Sequence, residues 1–139
     1  MLLQASQATQ IQIETNWLCF RFMVCSAAAQ PRATGEHDPG LASDGLDAVL
    51  VLNTYHELDD APAVLAHVRR ALRPGGRLVV VDRRPRSAAA HVPGEHELTP
   101  LEGEAGIRAS GFEIVQRDDA FIDRPGDPDL WWMIVARRP

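Results

Sequence analysis

Two short apolar runs, residues 46–52 and 77–82, dominate the hydrophobic pattern of this chain. A strand that is buried on both faces of a parallel sheet has this composition, because helices cover both sides of the sheet. Asp59 or Asp60 can cap a helix between the runs, and its apolar positions recur at helical spacing at Val64, Leu65, Val68, Ala71 and Leu72. The pattern therefore predicts one β-α-β unit from Leu46 to Asp82.

The rest of the pattern predicts a second helix and a terminal hairpin. Residues 99–102 (Thr-Pro-Leu-Glu) match a capping box with proline at the first helical position, and the helix should end near Ser110. Gly103 and Gly106 weaken this helix, so tertiary packing must hold it. Residues 112–122 and 130–138 then predict two antiparallel strands. The predicted fold class is α/β, a mostly parallel sheet with a C-terminal antiparallel β-hairpin.

The first 35 residues differ in composition from the rest of the chain and are predicted to form an atypical leader. Residues 11–14 alternate apolar and polar side chains, so a short strand and an irregular segment are the two alternatives for the leader. A secretory signal would need a basic start, and Arg21 interrupts its apolar middle. Residues 36–139 are then the α/β domain. No run is long enough to span a membrane, and the predicted location is cytoplasmic.

Charge and composition exclude several kinds of chemistry. The net charge of −5 disfavours nucleic-acid binding, which depends on neutralising phosphates. The chain has no lysine, so Schiff-base chemistry and a P-loop are excluded. Arg83, Arg84 and Arg86 form a small basic cluster that predicts a solvated loop, with contact to an anionic ligand as the alternative. No metal site is expected, because four further candidate ligands match no standard spacing: His91, Glu95, His96 and Glu97.

A dense set of polar residues follows the first predicted strand, in the order Asn53, Thr54, Tyr55, His56 and Glu57. Open parallel sheets bind ligands at the carboxyl ends of their strands. This pentapeptide is therefore the predicted functional site.

Three motifs in this order resemble the C-terminal part of class I S-adenosylmethionine-dependent methyltransferases. They are residues 46–58 (LDAVLVLNTYHEL), residues 72–82 (LRPGGRLVVVD) and residues 109–115 (ASGFEIV), and the ending at 131–139 resembles the last strand of these enzymes. The resemblance runs roughly from Glu36 to the C-terminus. It implies a Rossmann-like methyltransferase sheet, S-adenosylmethionine as cofactor, and methyl transfer to a small-molecule acceptor.

The resemblance also implies which residues hold the cofactor. Asp38 matches an acidic position that contacts adenine, while Asn53 and Thr54 border the cofactor just past the fourth strand of that fold. The family's first half supplies a glycine-rich G-x-G turn, which occurs nowhere in this chain. Gly75 and Gly76 are instead predicted as a helix-to-strand turn. Since that turn lets the backbone approach the cofactor, its absence predicts a truncated form with impaired activity.

Catalytic roles fall on three residues of the pentapeptide. His56 can act as a general base because its ordinary pKa lies near neutrality. Glu57 can orient His56 or contact the acceptor, and Tyr55 can pack on the ligand or hydrogen-bond to it. The alternative is that Tyr55 packs in the core while His56 and Glu57 only begin the next helix.

A second functional hypothesis is a non-catalytic methyltransferase-fold remnant that acts as a protein-interaction or dimerisation module. Half of a doubly wound sheet leaves an open strand edge and an uncovered apolar face. This hypothesis predicts a homodimer or a partner chain that pairs through the open edge.

Overall fold

In the computed structural model of the chain, the structure describes residues 10–13, 22–25, 41, 43–85, 97–121, 126 and 129–139. These residues form one mixed sheet with two α-helices. The elements in chain order are β1 (Gln10–Ile13), β2 (Phe22–Cys25), β3 (Leu46–Leu52), α1 (Ala61–Ala71), β4 (Leu72–Arg83), α2 (Pro100–Ala109), β5 (Glu113–Asp118) and β6 (Trp131–Arg137). A single turn of 3-10 helix, Tyr55–Glu57, follows β3.

The six strands lie in the order β1-β2-β3-β4-β6-β5. The Rossmann-like α/β architecture and the antiparallel pairing of β5 with β6 are confirmed. The description of the sheet as mostly parallel is corrected, because only β3 and β4 run parallel among the described strand pairs. A parallel pair needs a long crossover, and residues 14–21 between β1 and β2 are too few to form one.

Strands β1 and β2 lie in the segment that was predicted as a leader. The short strand expected at residues 11–14 is β1, and β2 joins it to the edge of β3 through the pairs Phe22–Val51 and Cys25–Ala48. The domain boundary between residues 35 and 36 stays a prediction, although these pairings link both sides of it in one sheet.

The β-α-β unit forms as predicted, with one correction at the end of its helix. Of the two capping candidates, Asp60 is the cap, and its carboxylate accepts a hydrogen bond from the Ala63 amide at 3.0 Å. Helix α1 ends at Ala71, and β4 begins at once with the fully buried Leu72. The proline and glycines at residues 74–76 therefore lie inside β4 and do not end the helix. Leu72 pairs with Leu46 at the start of β4, and this pairing requires an extended backbone at Leu72. The residue that precedes Pro74 also favours an extended conformation.

The two weak positions of α2 are where the sheet packs most closely against it. The capping box is present, with Thr99 and Glu102 bonded reciprocally. A Cβ on Gly103 would lie 2.6 Å from Cη2 of Trp132, and one on Gly106 would lie 2.5 Å from the hydroxyl of Tyr55. Glycine at these two positions lowers the helix propensity of α2, but it leaves the space in which the side chains of Trp132 and Tyr55 pack beneath the helix.

The hydrophobic core lies between one face of the sheet and the two helices. Its fully buried side chains come from both layers, and the largest of them are Trp132, Leu46, Leu65, Leu72, Leu78, Ile107 and Ile134. The opposite face carries half-buried apolar side chains at alternate positions, which include Leu50, Leu52, Val79, Met133 and Val135. Trp131 and Trp132 are neighbours in β6 and therefore face opposite sides of the sheet. Trp132 lies in the core, and Trp131 lies on the opposite face.

Candidate functional site

Strand β3 ends in an unusual backbone conformation at Asn53. This residue has φ of 53°, and its amide donates to the carbonyl of Val81 at 2.8 Å. Asparagine tolerates the left-handed region better than most residues, so it can end the strand where the chain turns. Its side-chain Oδ1 accepts a hydrogen bond from Arg83 Nε at 3.1 Å. Thr54 follows, buried, with its hydroxyl 3.4 Å from the carbonyl of Leu52.

Tyr55 points into the core from the 3-10 turn. Its ring meets Trp132 edge to face, with the centroids 6.5 Å apart and the planes at 87°. Burial and, secondarily, the negative charge of Asp82 raise the pKa of Tyr55 to about 12. The phenol therefore keeps its proton at neutral pH and does not serve as a base there.

His56 is bound to a buried carboxylate on the neighbouring strand. Asp82, near the end of β4, is fully buried and faces the turn that holds His56. Its Oδ1 lies 2.6 Å from His56 Nδ1, and its Oδ2 accepts the backbone amide of His56 at 2.9 Å. The Arg83 amide donates to Oδ1 at 2.7 Å. Since a carboxylate only accepts, we assign the proton of the imidazole to Nδ1, which makes Nε2 the basic nitrogen.

Asp82 was absent from the residues singled out as candidates, although the sequence carries an indication of it. It follows the apolar run of β4, and the register pairs Leu52 of β3 with Val81 of β4. The carboxyl ends of two adjacent parallel strands therefore meet at one edge. A polar residue at the end of the second strand should face those that follow the first, and Asp82 does so.

Glu57 lies on the other side of the His56 ring. Its Oε1 is 3.7 Å from His56 Nε2, and its side chain is about a quarter exposed, whereas the His56 side chain is almost completely buried. Carboxylate oxygens therefore lie near both ring nitrogens, Asp82 at Nδ1 and Glu57 at Nε2. With the proton at Nδ1 held by Asp82, Nε2 is the ring atom that can accept a proton.

The structure brings together five of the six predicted site residues and leaves one outside its description. Asn53, Thr54, Tyr55, His56 and Glu57 form a continuous stretch at the carboxyl edge of the sheet. Asp38 lies outside the described residues, as do His91, Glu95 and His96. Within the described ranges, no three histidine, cysteine or acidic side chains converge as metal ligands. No helix there is long and apolar enough to cross a membrane.

Comparison with known proteins identifies the family of this chain. A family model described as a methyltransferase domain matches residues 4–80, more than half of the chain. The match begins well before Glu36, so the resemblance extends further toward the N-terminus than the sequence motifs indicated. Part of the polyketide synthase ThaG from Burkholderia thailandensis is 29% identical over 93 residues, which are 60% of this chain and 2% of that protein.

Solved structures share the fold at low sequence identity. A methyltransferase from Aquifex aeolicus is similar with a TM-score of 0.61 and 16% identity, over 76% of this chain and 53% of that one. The 1,6-didemethyltoxoflavin-N1-methyltransferase of Burkholderia thailandensis has a TM-score of 0.56 and 22% identity, over 69% of this chain and 45% of that one. The chain thus spans about half the length of these two enzymes. On its sequence match the chain belongs to the methyltransferase-domain family, and its fold is that of class I S-adenosylmethionine-dependent methyltransferases.

Proposed function

We propose that this protein takes part in methyl transfer from S-adenosylmethionine to a small-molecule acceptor, with His56 as the general base. The observation that carries the proposal is the pairing of His56 with the buried Asp82 at the carboxyl edge of the sheet. In this family, that edge is where the cofactor and the acceptor meet. The similarity to part of a polyketide synthase and to a toxoflavin N1-methyltransferase supports a small molecule as acceptor.

The polar groups at the edge fit the cofactor chemically. Asn53 offers an amide and Thr54 a hydroxyl, which suit the ribose hydroxyls and the amino-acid group of S-adenosylmethionine. Asp38 is proposed for adenine on the resemblance alone. Both Asn53 and Thr54 are held in place, Asn53 by Arg83 and Thr54 by the Leu52 carbonyl. Fixed neutral groups of this kind bind a ligand with little loss of conformational entropy.

S-adenosylmethionine supplies an electrophilic methyl group when it is bound, so the protein's tasks are positioning, exclusion of water and removal of a proton. His56 takes the acceptor's proton at Nε2, while Asp82 holds the proton at Nδ1 and fixes the ring. Glu57 lies next to Nε2 and stabilises the imidazolium. Tyr55 contributes by packing, because its phenol stays protonated and lies against Trp132.

Binding of the cofactor product tests the first half of the proposal. Calorimetric titration with S-adenosylhomocysteine should give a saturable isotherm, and Asn53→Ala should weaken it. Asp47→Asn is the matched control, since Asp47 lies in β3 on an exposed ion pair with Arg73 and away from the carboxyl edge. Absence of heat at millimolar S-adenosylhomocysteine would overturn the proposed cofactor.

Transfer of radiolabelled methyl groups to a panel of small phenols, amines and β-dicarbonyl compounds tests the second half. His56→Asn should lower kcat by roughly 10²–10⁴-fold, the usual contribution of a general base, and leave binding of S-adenosylhomocysteine within a few-fold. A variant that lost both equally would show His56 to be a structural residue.

The alternative of an interaction module has one structural feature in its favour. Strand β1 lies at one end of the sheet, where its outer edge can pair with another chain. The other end is β5, whose exposed charged side chains at Glu113 and Arg117 disfavour such pairing. Light scattering separates the two hypotheses. A dimer without affinity for S-adenosylhomocysteine favours the module, and a monomer that methylates an acceptor excludes it.

A further inference from the structure

Three side chains that the proposed mechanism leaves unused, or uses only in part, lie together at the carboxyl edge, on the face opposite the helices. Arg83 and Trp131 are directly paired across β4 and β6, so their side chains emerge side by side on the same face. That face is the one opposite Asp82 and Trp132, which are both fully buried. Asn53 reaches the same point from β3 through its hydrogen bond with Arg83 Nε.

The indole of Trp131 carries a hydrogen-bond donor that finds no acceptor in the described part of the chain. Its Nε1 is buried, and no acceptor lies within hydrogen-bond distance among the residues that the structure describes. Trp132 next to it shows the usual arrangement, since its Nε1 donates to the carbonyls of Leu98 and Arg83. A buried donor without an acceptor is costly and rare in folded proteins, so it indicates a group that binds there.

Arg83 is a cation that forms no ion pair with the residues that the structure describes. No carboxylate in the described part of the chain lies within ion-pair distance of it, whereas Arg73, Arg117 and Arg138 each pair with one. The hydrogen bond from Nε to Asn53 restrains the guanidinium, and its two terminal nitrogens make no hydrogen bond with the residues that the structure describes. A guanidinium held in this way is suited to grip a planar oxyanion through two parallel hydrogen bonds.

The side chains beside these donors are apolar. Leu52, Val81 and Met133 lie in register across β3, β4 and β6 next to Arg83 and Trp131, with Val81 buried and the other two half-buried. The charge of Arg84 acts elsewhere, because the pKa of the Asp119 carboxyl is lowered chiefly by its hydrogen bond with Arg117 and also by the charge of Arg84. The site is therefore suited to a ligand that carries an oxyanion on an apolar body.

We propose that Arg83, Trp131 and Asn53 form a subsite that binds an anionic group of the methyl acceptor, a carboxylate or a phosphate ester. The oxyanion satisfies the Trp131 indole and the guanidinium of Arg83 together, and the apolar body of the acceptor lies on Leu52 and Met133. Asn53 acts as a positioning residue for Arg83. The role of the ligand as acceptor rests on the proposed function, whereas binding of the anion does not.

Nuclear magnetic resonance of the indole N–H groups tests the subsite directly. The chain has three tryptophans, so the Trp131 resonance is assigned by its loss in Trp131→Phe. Titration with sodium benzoate or sodium phosphate, at ionic strength held constant with chloride, should shift this resonance saturably. We expect a dissociation constant on the order of 1–10 mM for a fragment that makes only a few charge-assisted hydrogen bonds. The Trp132 resonance should shift less, because its N–H is already bonded.

Two variants on one face of one strand make the test specific. Arg83→Gln should abolish the shift, and Arg77→Gln should leave it unchanged, since Arg77 lies on the same face in the middle of β4, where it pairs with Arg137 and not with Trp131. A response to benzoate alone identifies a carboxylate, and a response to phosphate alone identifies a phosphate ester. A response that persists in Arg83→Gln, an equal response to uncharged benzyl alcohol, or no saturable response to either anion would overturn the subsite.

S-adenosylhomocysteine separates this inference from the proposed function. It should leave benzoate binding intact, because the anion is bound by Arg83 and Trp131, whereas the cofactor is proposed to contact Asn53 and Thr54. If S-adenosylhomocysteine itself shifted the Trp131 resonance and displaced benzoate, the site would belong to the cofactor and the acceptor subsite would be wrong. If S-adenosylhomocysteine failed to bind while benzoate still shifted Trp131, the anion site would stand and the proposed function would fall.

Discussion

His56 and Asp82 are 26 residues apart in the sequence and are joined by two hydrogen bonds, one to the imidazole and one to the backbone amide. Asp82 is fully buried, so both bonds are shielded from water. The pair therefore fastens the turn after β3 to the end of β4 and sets the tautomer of the histidine.

Replacing Asp82 should destabilise the protein as well as disturb the site. Asp82→Asn keeps the volume but presents an N–H group to His56, so a buried donor loses its acceptor. We expect a loss of about 1–3 kcal/mol in the free energy of unfolding, measured by urea denaturation. Asp47→Asn breaks an ion pair in which both side chains are more than half exposed, and should cost at most about 1 kcal/mol. Equal losses in the two variants would contradict the special role of Asp82.

Alkaline pH should destabilise the fold through Tyr55. The pKa of Tyr55 is about 12 in the folded chain and about 10 in the unfolded chain. The unfolded chain therefore loses its proton first as the pH rises. The stabilising difference is fully present below pH ~10 and is lost progressively up to pH ~12, a total of roughly 2–3 kcal/mol.

Tyr55→Phe is the control for this alkaline loss. The chain has one tyrosine, so tyrosinate absorbance in the wild type reports this group alone. Urea denaturation between about pH 9 and 11 should show a steeper loss of stability in the wild type than in Tyr55→Phe. Parallel pH profiles for the two proteins, or ionisation of the folded tyrosine near its ordinary pKa, would refute the prediction.

The contact between Gly106 and Tyr55 should appear as a coupling energy. Gly106→Ala places a Cβ 2.5 Å from the Tyr55 hydroxyl but 3.8 Å from the ring carbon that bears it. The substitution should cost about 1–3 kcal/mol in the wild type through overpacking. In Tyr55→Phe the cost should shrink, because the hydroxyl is gone and alanine favours the helix by up to about 1 kcal/mol.

Gly103→Ala provides the comparison in the same helix. Its Cβ would meet Trp132 at 2.6 Å, and removing the Tyr55 hydroxyl does not change that contact. Its cost should therefore be similar in both backgrounds, apart from indirect shifts of a few tenths of a kcal/mol. A double-mutant cycle by thermal or urea unfolding measures both couplings. Equal coupling for Gly103 and Gly106 would contradict the local origin of the effect.

Arg138 should contribute more to stability than its neighbour Arg137. Its guanidinium donates to the carbonyls of Leu72 and Arg70 at the end of α1 and to the carboxylate of Asp44. Arg138→Met keeps the apolar stem but removes these bonds, and should cost about 1–2 kcal/mol because the last carbonyls of a helix lack partners within it.

Arg137→Met tests whether that cost is specific. Arg137 pairs with Glu113 across β6 and β5, and both side chains are more than half exposed. Its loss should change the free energy of unfolding by less than about 1 kcal/mol. If the two substitutions had the same effect in urea denaturation, the link between the C-terminus and α1 would not be a stabilising feature.

The local sequence predicted those helices and strands whose capping residues and hydrophobic periodicity agree with the burial seen in the structure. The capping box at Thr99, a cap at Asp59 or Asp60 and the strands at either end of α1 follow from short-range hydrogen bonds and hydrophobic periodicity. The sequence pattern predicted that α1 ends at the turn of Gly75 and Gly76, whereas it ends at Ala71, because the pairing of Leu72 with Leu46 is a long-range effect. The direction of β1 and β2 was likewise undetermined, since strand pairing depends on partners distant in the sequence.

The sequence by itself determined the β-α-β unit, the polar stretch after its first strand and the family to which they belong. Only the tertiary structure brought Asp82 to His56 and aligned Arg83 with Trp131, because these contacts depend on the register of strands that are distant in the sequence. It also decided that Gly103 and Gly106 make room for aromatic rings, since helix propensity alone disfavours glycine there. Composition and periodicity describe what a segment can form, while the packing of segments decides which side chains meet.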